Sequence, residues 1–160
     1  MPEVEIRVAT EDDVPLILSL IRELAEYERL SHEVVATEET LHDSLFGQRR
    51  VAETLLAYLG DDPAGFALFF HNFSTFLGRP GIYLEDLYVR PEFRSAGVGR
   101  TLLVRIAGLA KERGCGRLEW AVLDWNEPAI SFYKRIGASP VSGWMVYRLT
   151  GEALEELAGR

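Results

Sequence analysis

The segment 89–100 constrains the fold of this chain most strongly, because a strand runs directly into an amphipathic helix through a loop that contains two glycines. Gly97 and Gly99 lack Cβ atoms, so the backbone can turn tightly and direct successive N–H groups at an anion such as a pyrophosphate. Arg94 and Arg100 can add charge-assisted hydrogen bonds. The loop lacks the third glycine of a Rossmann fingerprint and the Gly-Lys-Ser/Thr of a Walker loop. Taken alone, it is also compatible with a simple turn of the chain.

Hydrophobic periodicity and turn signals predict the elements around this loop. Helices are expected at 11–27, 38–46, 99–113 and 127–135, with a weak terminal helix from residue 152, and Thr10 and Thr37 are the expected N-caps of the first two. Strands are expected at 4–9, 51–59, 64–71, 82–89, 118–123 and 141–149. No repeat or linker divides the chain, so a single domain over 1–160 is predicted. The order β-α-α-β-β-β-α-β-α-β predicts an α/β fold with a mixed, mostly antiparallel sheet flanked by helices.

The composition argues against several classes of partner. A net charge of -8 over 160 residues argues against nucleic acid, since phosphate backbones bind clustered Lys and Arg, and it favours small cations. The histidines have neither the spacing nor the cysteine neighbours of a zinc site, so no metal is expected. No apolar run is long enough to span a membrane, and no export signal is visible. Together with a single cysteine, Cys115, these features predict a cytoplasmic protein.

Two adjacent carboxylates, Glu85 and Asp86, stand in the middle of an otherwise apolar strand. Burial makes carboxylates costly, so either a structural partner or a functional role is expected for them. Regular alternation would place the two side chains on opposite faces of the sheet. At most one of them would then line a cleft, unless a bulge redirects the strand.

A second motif covers 124–138, with the sequence Asp-Trp-Asn-Glu-Pro-Ala-Ile-Ser-Phe-Tyr-Lys-Arg-Ile-Gly-Ala. Asn126 is a suitable N-cap and Pro128 suits the first helical turn, so the start of a helix accounts for both residues. Tyr133 shares a helical face with Ala129 and Ile136 and is therefore also compatible with a packing role.

The pattern Arg-x-x-Gly-x-Gly after a strand, together with the order of elements, resembles the acyl-CoA loop of the GNAT superfamily of N-acetyltransferases. The motif at 124–138, combined with Leu-Ile-Arg-Glu-Leu-Ala-Glu-Tyr-Glu at 20–28 and Tyr-Leu-Glu-Asp at 83–86, is similar to the diamine acetyltransferase family. That family includes the spermidine/spermine and thialysine N-acetyltransferases, and the likeness spans nearly the whole chain. It implies a homodimer that uses acetyl-CoA to acetylate a primary amine of a polyamine or lysine-like compound.

The resemblance also implies roles for individual residues. Backbone groups in the strand would pair with the pantetheine arm of acetyl-CoA, at Leu87, Tyr88 and Val89. The loop would hold the pyrophosphate through Arg94, Ser95, Ala96, Gly97, Val98, Gly99 and Arg100, and Asn126 would complete this site. The amine substrate would lie against Tyr27, Glu28, Glu85, Asp86, Glu119 and Trp120.

These roles give a mechanistic hypothesis. An alkyl amine is mostly protonated at neutral pH, so a proton must leave before the nitrogen can attack the thioester. Glu85 is the expected proton acceptor, directly or through a water, and Tyr133 is expected to donate a proton to the departing thiolate. Direct transfer needs no covalent enzyme intermediate and leaves no catalytic role for Cys115.

One segment departs from the family pattern. Residues 140–144, Pro-Val-Ser-Gly-Trp, form a shorter loop with fewer carboxylates than the acidic loop of the polyamine enzymes. This puts long polyamines such as spermine in doubt and leaves thialysine, lysine-like compounds and short diamines at least as well suited. A protein N-terminus or lysine, an aminoglycoside, and non-catalytic sensing of acetyl-CoA stay open as alternatives.

Overall fold

A computed structural model describes residues 3–159 of the chain. In chain order, the elements are β1 (Val4–Val8), α1 (Val14–Tyr27), α2 (Glu38–Phe46), β2 (Glu53–Leu59), β3 (Asp62–Ser74), β4 (Arg79–Val89), α3 (Val98–Glu112), β5 (Leu118–Trp120), α4 (Glu127–Arg135) and α5 (Gly151–Leu157). They fall into two compact units, the first running to Leu123 and the second starting at Asp124. The predicted single domain over 1–160 stays a prediction.

The first two helices begin where the sequence predicts. The Thr10 backbone N–H donates to the Asp13 carboxylate at 2.8 Å, and a short 3-10 turn leads from there into α1. At the start of α2, the Thr37 hydroxyl accepts the Thr40 N–H at 3.1 Å. Both arrangements are local and satisfy donors that a helix end leaves without partners, which is why the sequence alone locates them.

The first unit contains a five-stranded mixed sheet in the order β1-β2-β3-β4-β5. The first four strands are antiparallel neighbours, and β5 pairs with β4 in parallel after the crossover through α3. The predicted α/β fold with a mixed, mostly antiparallel sheet is thereby confirmed. β3 and β4 are both longer than the strands predicted at 64–71 and 82–89, since β3 extends to Ser74 and β4 begins at Arg79.

The core of the first unit forms where α1 packs on the sheet. Its buried apolar cluster combines one stripe of α1 with side chains of the strands and α2: Ala9, Ile17, Leu20, Leu24, Leu45, Leu56, Phe66 and Tyr88. Full burial of a large apolar side chain contributes about 1.5–3 kcal/mol relative to exposure, so this cluster accounts for much of the docking of α1. α3 contacts β1, β3 and β4 and buries Leu102 and Ile106 completely.

β4 contains a bulge at Glu85. On β3, Leu68 pairs with Asp86 and the next residue, Phe69, pairs with Leu84, so Glu85 has no partner across this ladder. An extra residue of this kind bends the strand and shifts the alternation of side chains beyond it. The bulge that the sequence left open as the alternative to regular alternation is therefore present.

Two predicted strands differ from the structure. The strand expected at 118–123 ends at Trp120, and the strand expected at 141–149 does not form. Apolar side chains of the second segment are exposed, with Trp144 at 81% and Tyr147 at 87%. Ladder hydrogen bonds to a neighbouring strand hold a strand in place, and the apolar pattern of this segment does not by itself provide that neighbour. The last strand of the predicted order is therefore wrong, whereas α4 and the C-terminal α5 form as predicted.

Within residues 3–159, the structure offers no helix that combines the length and the apolar character needed to cross a membrane.

Candidate active site

The loop between β4 and α3 presents backbone N–H groups at a helix N-terminus. Ser95 and Gly97 have positive φ angles of 73° and 81°, so the chain turns twice through the left-handed region before α3 begins. The first backbone bond inside the helix runs from the Thr101 N–H to the Gly97 carbonyl at 3.0 Å. The N–H groups of 98–100 therefore have no acceptor in the helix, and the helix dipole favours an anion in front of them.

Gly99 leaves room for a ligand to approach the backbone at the start of α3. It lies in α3 without a positive φ, and a Cβ placed there would meet only Val89 Cγ2, at an ordinary 3.6 Å. Neither backbone conformation nor packing requires a glycine at this position. A glycine here lets a ligand approach the backbone closely, and the exposed Arg94 and Arg100 flank the same N-terminus. The loop thus fits the pyrophosphate of acetyl-CoA.

The strand that leads into this loop has a free edge. Among residues 3–159, β5 pairs with β4 only from Ile82 to Leu84, so from Glu85 to Val89 the ladder partner of β4 is β3 alone. The divergence begins at the bulge. Unpaired N–H and C=O groups along such an edge bind an extended ligand by adding one more set of ladder hydrogen bonds. This geometry suits an extended ligand that contains amides, and the pairing of Leu87–Val89 with the pantetheine arm, which the family resemblance implies, stays a prediction.

The bulge also places Asp86 on the same face as Tyr83. On β3, the partner of Tyr83 is Phe70 and the partner of Asp86 is Leu68, and these two partners share a face because they are two residues apart. In a regular strand, Tyr83 and Asp86 would face opposite sides. The bulge therefore gathers polar groups on one face of β4 next to its free edge.

Three carboxylates near this face, those of Glu28, Glu85 and Asp86, have no compensating cation among the described residues. Burial raises the pKa of Asp86 to about 7, and the negative charges of Glu85 and Glu28 add to the rise. Burial also raises the pKa of Glu28. Within residues 3–159, none of the three side chains forms an ion pair or a hydrogen bond. A bound cation would stabilise their charged forms.

The predicted substrate residues of β5 divide between the two faces. Glu119 pairs with Tyr83 and lies on the carboxylate face, where its side chain accepts a hydrogen bond from Asn72 at 3.3 Å. Trp120 pairs with Leu84, and alternation directs it to the other face. The structure therefore brings Glu119 to the predicted substrate residues of β4 and places Trp120 away from them.

Arg94 connects the loop to the last residue of α1. Its Nε donates to the Val89 carbonyl at 3.0 Å, and its guanidinium lies over the Tyr27 ring at 4.9 Å and near the Tyr88 ring at 5.9 Å. Tyr27 and the adjacent Glu28, both predicted to contact the amine, thus lie beside the strand and loop predicted to bind the cofactor. The guanidinium bonds the carbonyl at the end of the free edge rather than pointing away from the loop.

The second unit carries the remaining predicted residues. The Asn126 side chain accepts the Ala129 N–H at 3.4 Å and caps α4, and Pro128 occupies the first turn, so the structural part of the prediction is confirmed. Tyr133 lies on α4 with its ring 5.7 Å from that of Phe132. The cofactor role of Asn126 and the catalytic role of Tyr133 stay predictions.

An ion pair that the sequence did not reveal lies beside the site. Arg90 bonds Glu23 with both charged side chains partly buried, and the two residues are 67 positions apart in the chain. The pKa of Arg90 rises because the Glu23 carboxylate accepts its hydrogen bonds. A pairing across such a separation depends on the docking of α1, so no local pattern predicts it.

A loop that fits a pyrophosphate, a free strand edge and an uncompensated acidic face together define the class of acyl-CoA-dependent transferases with a cationic acceptor. In the part of the chain that the structure describes, no group of three or more His, Cys, Asp or Glu side chains is arranged to hold a metal ion.

The acetyltransferase (GNAT) family model matches residues 18–138. The chain therefore belongs to the GNAT acetyltransferase family. It is 43% identical over 171 residues to a thialysine N-epsilon-acetyltransferase of Bos taurus, with 100% of both chains covered. It is 35% identical over 197 residues to an L-ornithine N5-acetyltransferase of Arabidopsis thaliana, covering 95% of this chain and 86% of the relative. An integron cassette protein from the V. cholerae mobile metagenome has the same fold, with a TM-score of 0.81 and 29% identity over 99% of each chain.

These matches confirm the family resemblance read from the sequence. The protein is an N-acetyltransferase, acetyl-CoA is its acetyl donor, and a small amine is its acceptor. They leave the identity of that amine and the roles of individual side chains to be proposed.

Proposed function

We propose that this enzyme acetylates the terminal amine of a small lysine-like compound or short diamine, with thialysine and lysine as leading candidates. The acidic face formed by Glu28, Glu85 and Asp86 carries the proposal, because these side chains have no compensating cation among the described residues. A face of this kind attracts ammonium groups and orients them. The names of the two relatives, acetyltransferases of thialysine and of ornithine, specify acceptors that fit the same chemistry.

The length of the acceptor follows from the segment 140–144. It offers no carboxylate, so a distal ammonium group of a long polyamine gains nothing there. We therefore place spermidine and spermine behind the shorter amines.

Acetyl-CoA, when bound, supplies an acetyl group activated as a thioester. On the protein side, the free edge at Leu87–Val89 and the N-terminus of α3 hold the donor, with Arg94 and Arg100 adding polar contacts. Holding the donor and the amine side by side gives much of the acceleration, because it converts an encounter of two molecules into a step within one complex.

We assign the proton steps to two side chains. Glu85, exposed at the bulge beside the free edge, accepts the proton of the ammonium directly or through a water, and Asp86 holds the cation in place. Tyr133 donates a proton to the leaving thiolate. Replacement Tyr133→Phe then lowers turnover on the order of 10²–10⁴ with little change in acetyl-CoA binding, and an unchanged turnover would remove Tyr133 from the mechanism.

At the level of the assembly, we propose a cytoplasmic homodimer. The exposed apolar side chains of 144–147 form a surface of the kind that subunit contacts cover. Light scattering should then give a mass of twice 18.0 kDa, and a mass of 18.0 kDa across the working concentration range would contradict the dimer.

The proposed acceptor class is tested by thiol release from acetyl-CoA against a panel of amines. The panel contains thialysine, lysine, ornithine, putrescine, spermidine, spermine, an aminoglycoside and a peptide with a free N-terminus. We expect rapid release with one or more of the small amino-acid or diamine acceptors and slow release with spermine. Release with the peptide or the aminoglycoside alone would contradict the proposal.

A further inference from the structure

An ion pair ties α1 to the end of β4. Arg90 donates from Nη2 to Glu23 Oε2 at 2.8 Å and from Nε to Glu23 Oε1 at 3.1 Å. The Tyr88 hydroxyl donates to the same carboxylate at 3.4 Å, and Arg90 Nη1 donates to the Pro63 carbonyl at 3.2 Å. Bidentate bonding between a planar guanidinium and a carboxylate fixes an angle as well as a distance.

Both partners lie next to residues of the candidate site. Glu23 is one helical turn before Tyr27 and Glu28, and Arg90 directly follows the free edge of β4. A second contact joins the same two elements, since the Arg94 guanidinium lies 4.9 Å from the centre of the Tyr27 ring. The last turn of α1 is therefore connected to the cofactor strand and loop by directional contacts.

The other contacts of α1 with the sheet are largely apolar. Ile17, Leu20 and Leu24 pack into the buried cluster, and apolar burial is not directional. These contacts hold the helix on the sheet, and no α1 residue of the buried cluster lies beyond Leu24. The ion pair is partly exposed, at 24% and 33%, so its contribution to stability is small. Its bidentate geometry supplies the orientation that apolar packing lacks.

We propose that Glu23 and Arg90 are positioning residues, which set the orientation of the last turn of α1 and thereby hold Tyr27 and Glu28 in place relative to the free edge of β4. This inference rests on the proposed function, because it takes Tyr27 and Glu28 as groups that contact the amine. Neither Glu23 nor Arg90 is assigned a contact with the reacting atoms.

The chain contains a matched control for this pair. Arg113 bonds Glu53 in the same bidentate manner, at 2.7 and 2.9 Å, with exposures of 34% and 45%. That pair joins the start of β2 to the end of α3 and includes none of the predicted site residues. A loss of stability alone should therefore affect both pairs alike, whereas a loss of positioning should affect only Glu23 and Arg90.

The test compares Glu23→Gln with Glu53→Gln in the full-length enzyme, using thialysine and acetyl-CoA. We expect Glu23→Gln to raise KM for thialysine about tenfold while KM for acetyl-CoA changes less than about twofold. Amide hydrogen exchange at 25–30, which reports the last turn of α1, should accelerate in the same variant. The double reversal Glu23→Arg with Arg90→Glu should bring KM for thialysine most of the way back to the wild-type value. Glu53→Gln should change neither KM nor the exchange rate at 25–30.

Equal changes of KM in the two Gln variants would overturn the proposal, as would faster exchange at 25–30 with an unchanged KM for thialysine. Unchanged exchange in Glu23→Gln would overturn it as well. Should the wild-type enzyme acetylate no small amine, the proposed function fails on that ground. The exchange comparison then decides alone whether the pair orients α1.

Discussion

Asp86 has a less favourable environment than other carboxylates in the first unit. It is partly buried on β4, has two negative neighbours, and forms no ion pair in the described part of the chain. The ionised form of Asp86 therefore lowers the stability of the fold, and a bound cation would stabilise that form. The residue is better suited to binding an ammonium group than to stabilising the sheet.

The first prediction concerns the pH dependence of activity. In the proposed mechanism, Asp86 holds the substrate only when ionised, and with a pKa of about 7 its ionised fraction rises as the pH is raised through neutrality. We expect kcat/KM for the amine to rise through about pH 7 in the wild type. In Asp86→Asn this rise should disappear and KM for the amine should increase by roughly tenfold or more, because a hydrogen bond to a charged group is lost. Initial rates between pH 5.5 and 9 measure both effects, and a rise that survives in Asp86→Asn assigns it to another group.

The second prediction concerns stability. The pKa of Asp86 is about 7 in the fold and about 3.8 in the unfolded chain, so between these values the folded protein binds more protons. The stability that the protonated Asp86 carboxyl gives the fold is fully present below about pH 3.8, and it is lost as the pH rises to 7 and the carboxyl ionises. Replacement Asp86→Asn should therefore stabilise the protein by roughly 2–4 kcal/mol at pH 8 and by much less at pH 5.

Urea unfolding at both pH values provides the measurement for this stability effect. Asp61→Asn is the control, since Asp61 is exposed in the turn between β2 and β3. A destabilised Asp86→Asn variant at pH 8 would show that the ionised carboxylate has a stabilising partner.

Among the elements, β4, α3 and the loop between them contribute most of the candidate site. β4 supplies the free edge and the carboxylates, and α3 supplies the anion site at its N-terminus. The bulge at Glu85 lies where the pairing of β4 changes. From Ile82 to Leu84 the strand pairs on both sides, and from Glu85 onward, within residues 3–159, it pairs on one side only.

The third prediction separates binding from folding within α3. Gly99→Ala introduces a Cβ that meets no close atom of the protein but lies where the donor approaches, so KM for acetyl-CoA should rise by about tenfold or more with stability unchanged or slightly higher. Gly108→Ala is the control in the same helix, where a Cβ meets nothing within 4 Å. It should stabilise the helix by about 0.5–1 kcal/mol and leave KM unchanged. Equal KM values in the two variants would contradict the placement of the donor at this N-terminus.

Features that depend on neighbouring residues are predicted from the sequence, whereas features that depend on residues far apart in the chain are not. The caps at Thr37 and Asn126 depend on residues three positions away, so both are predicted correctly. The bulge at Glu85 depends on the register between β3 and β4, and the pair Glu23–Arg90 depends on the docking of α1. The sequence leaves the bulge as an open alternative and gives no sign of the pair. The strand expected at 141–149 fails for the same reason, because its pattern specifies no neighbour.

For the molecule as a whole, charge is distributed according to the two substrates. The net charge is -8, yet the cofactor loop carries Arg94 and Arg100 at a helix N-terminus, which is where an anionic donor needs to bind. The uncompensated carboxylates lie on the neighbouring face of β4, where the proposal places a cationic acceptor. The proposed function, transfer of acetyl from an anionic donor to a cationic acceptor, thus has a separate candidate site for each substrate.

Selection for a second positive charge is the central claim of this account, and cadaverine and pentylamine test it most directly. The two amines have the same carbon chain and differ only in the second ammonium group. We predict that kcat/KM for acetyl transfer from acetyl-CoA, followed by thiol release at pH 8 and low salt, is at least about tenfold higher for cadaverine. Equal kcat/KM values would contradict the claim that the face formed by Glu28, Glu85 and Asp86 selects an acceptor with a second ammonium group.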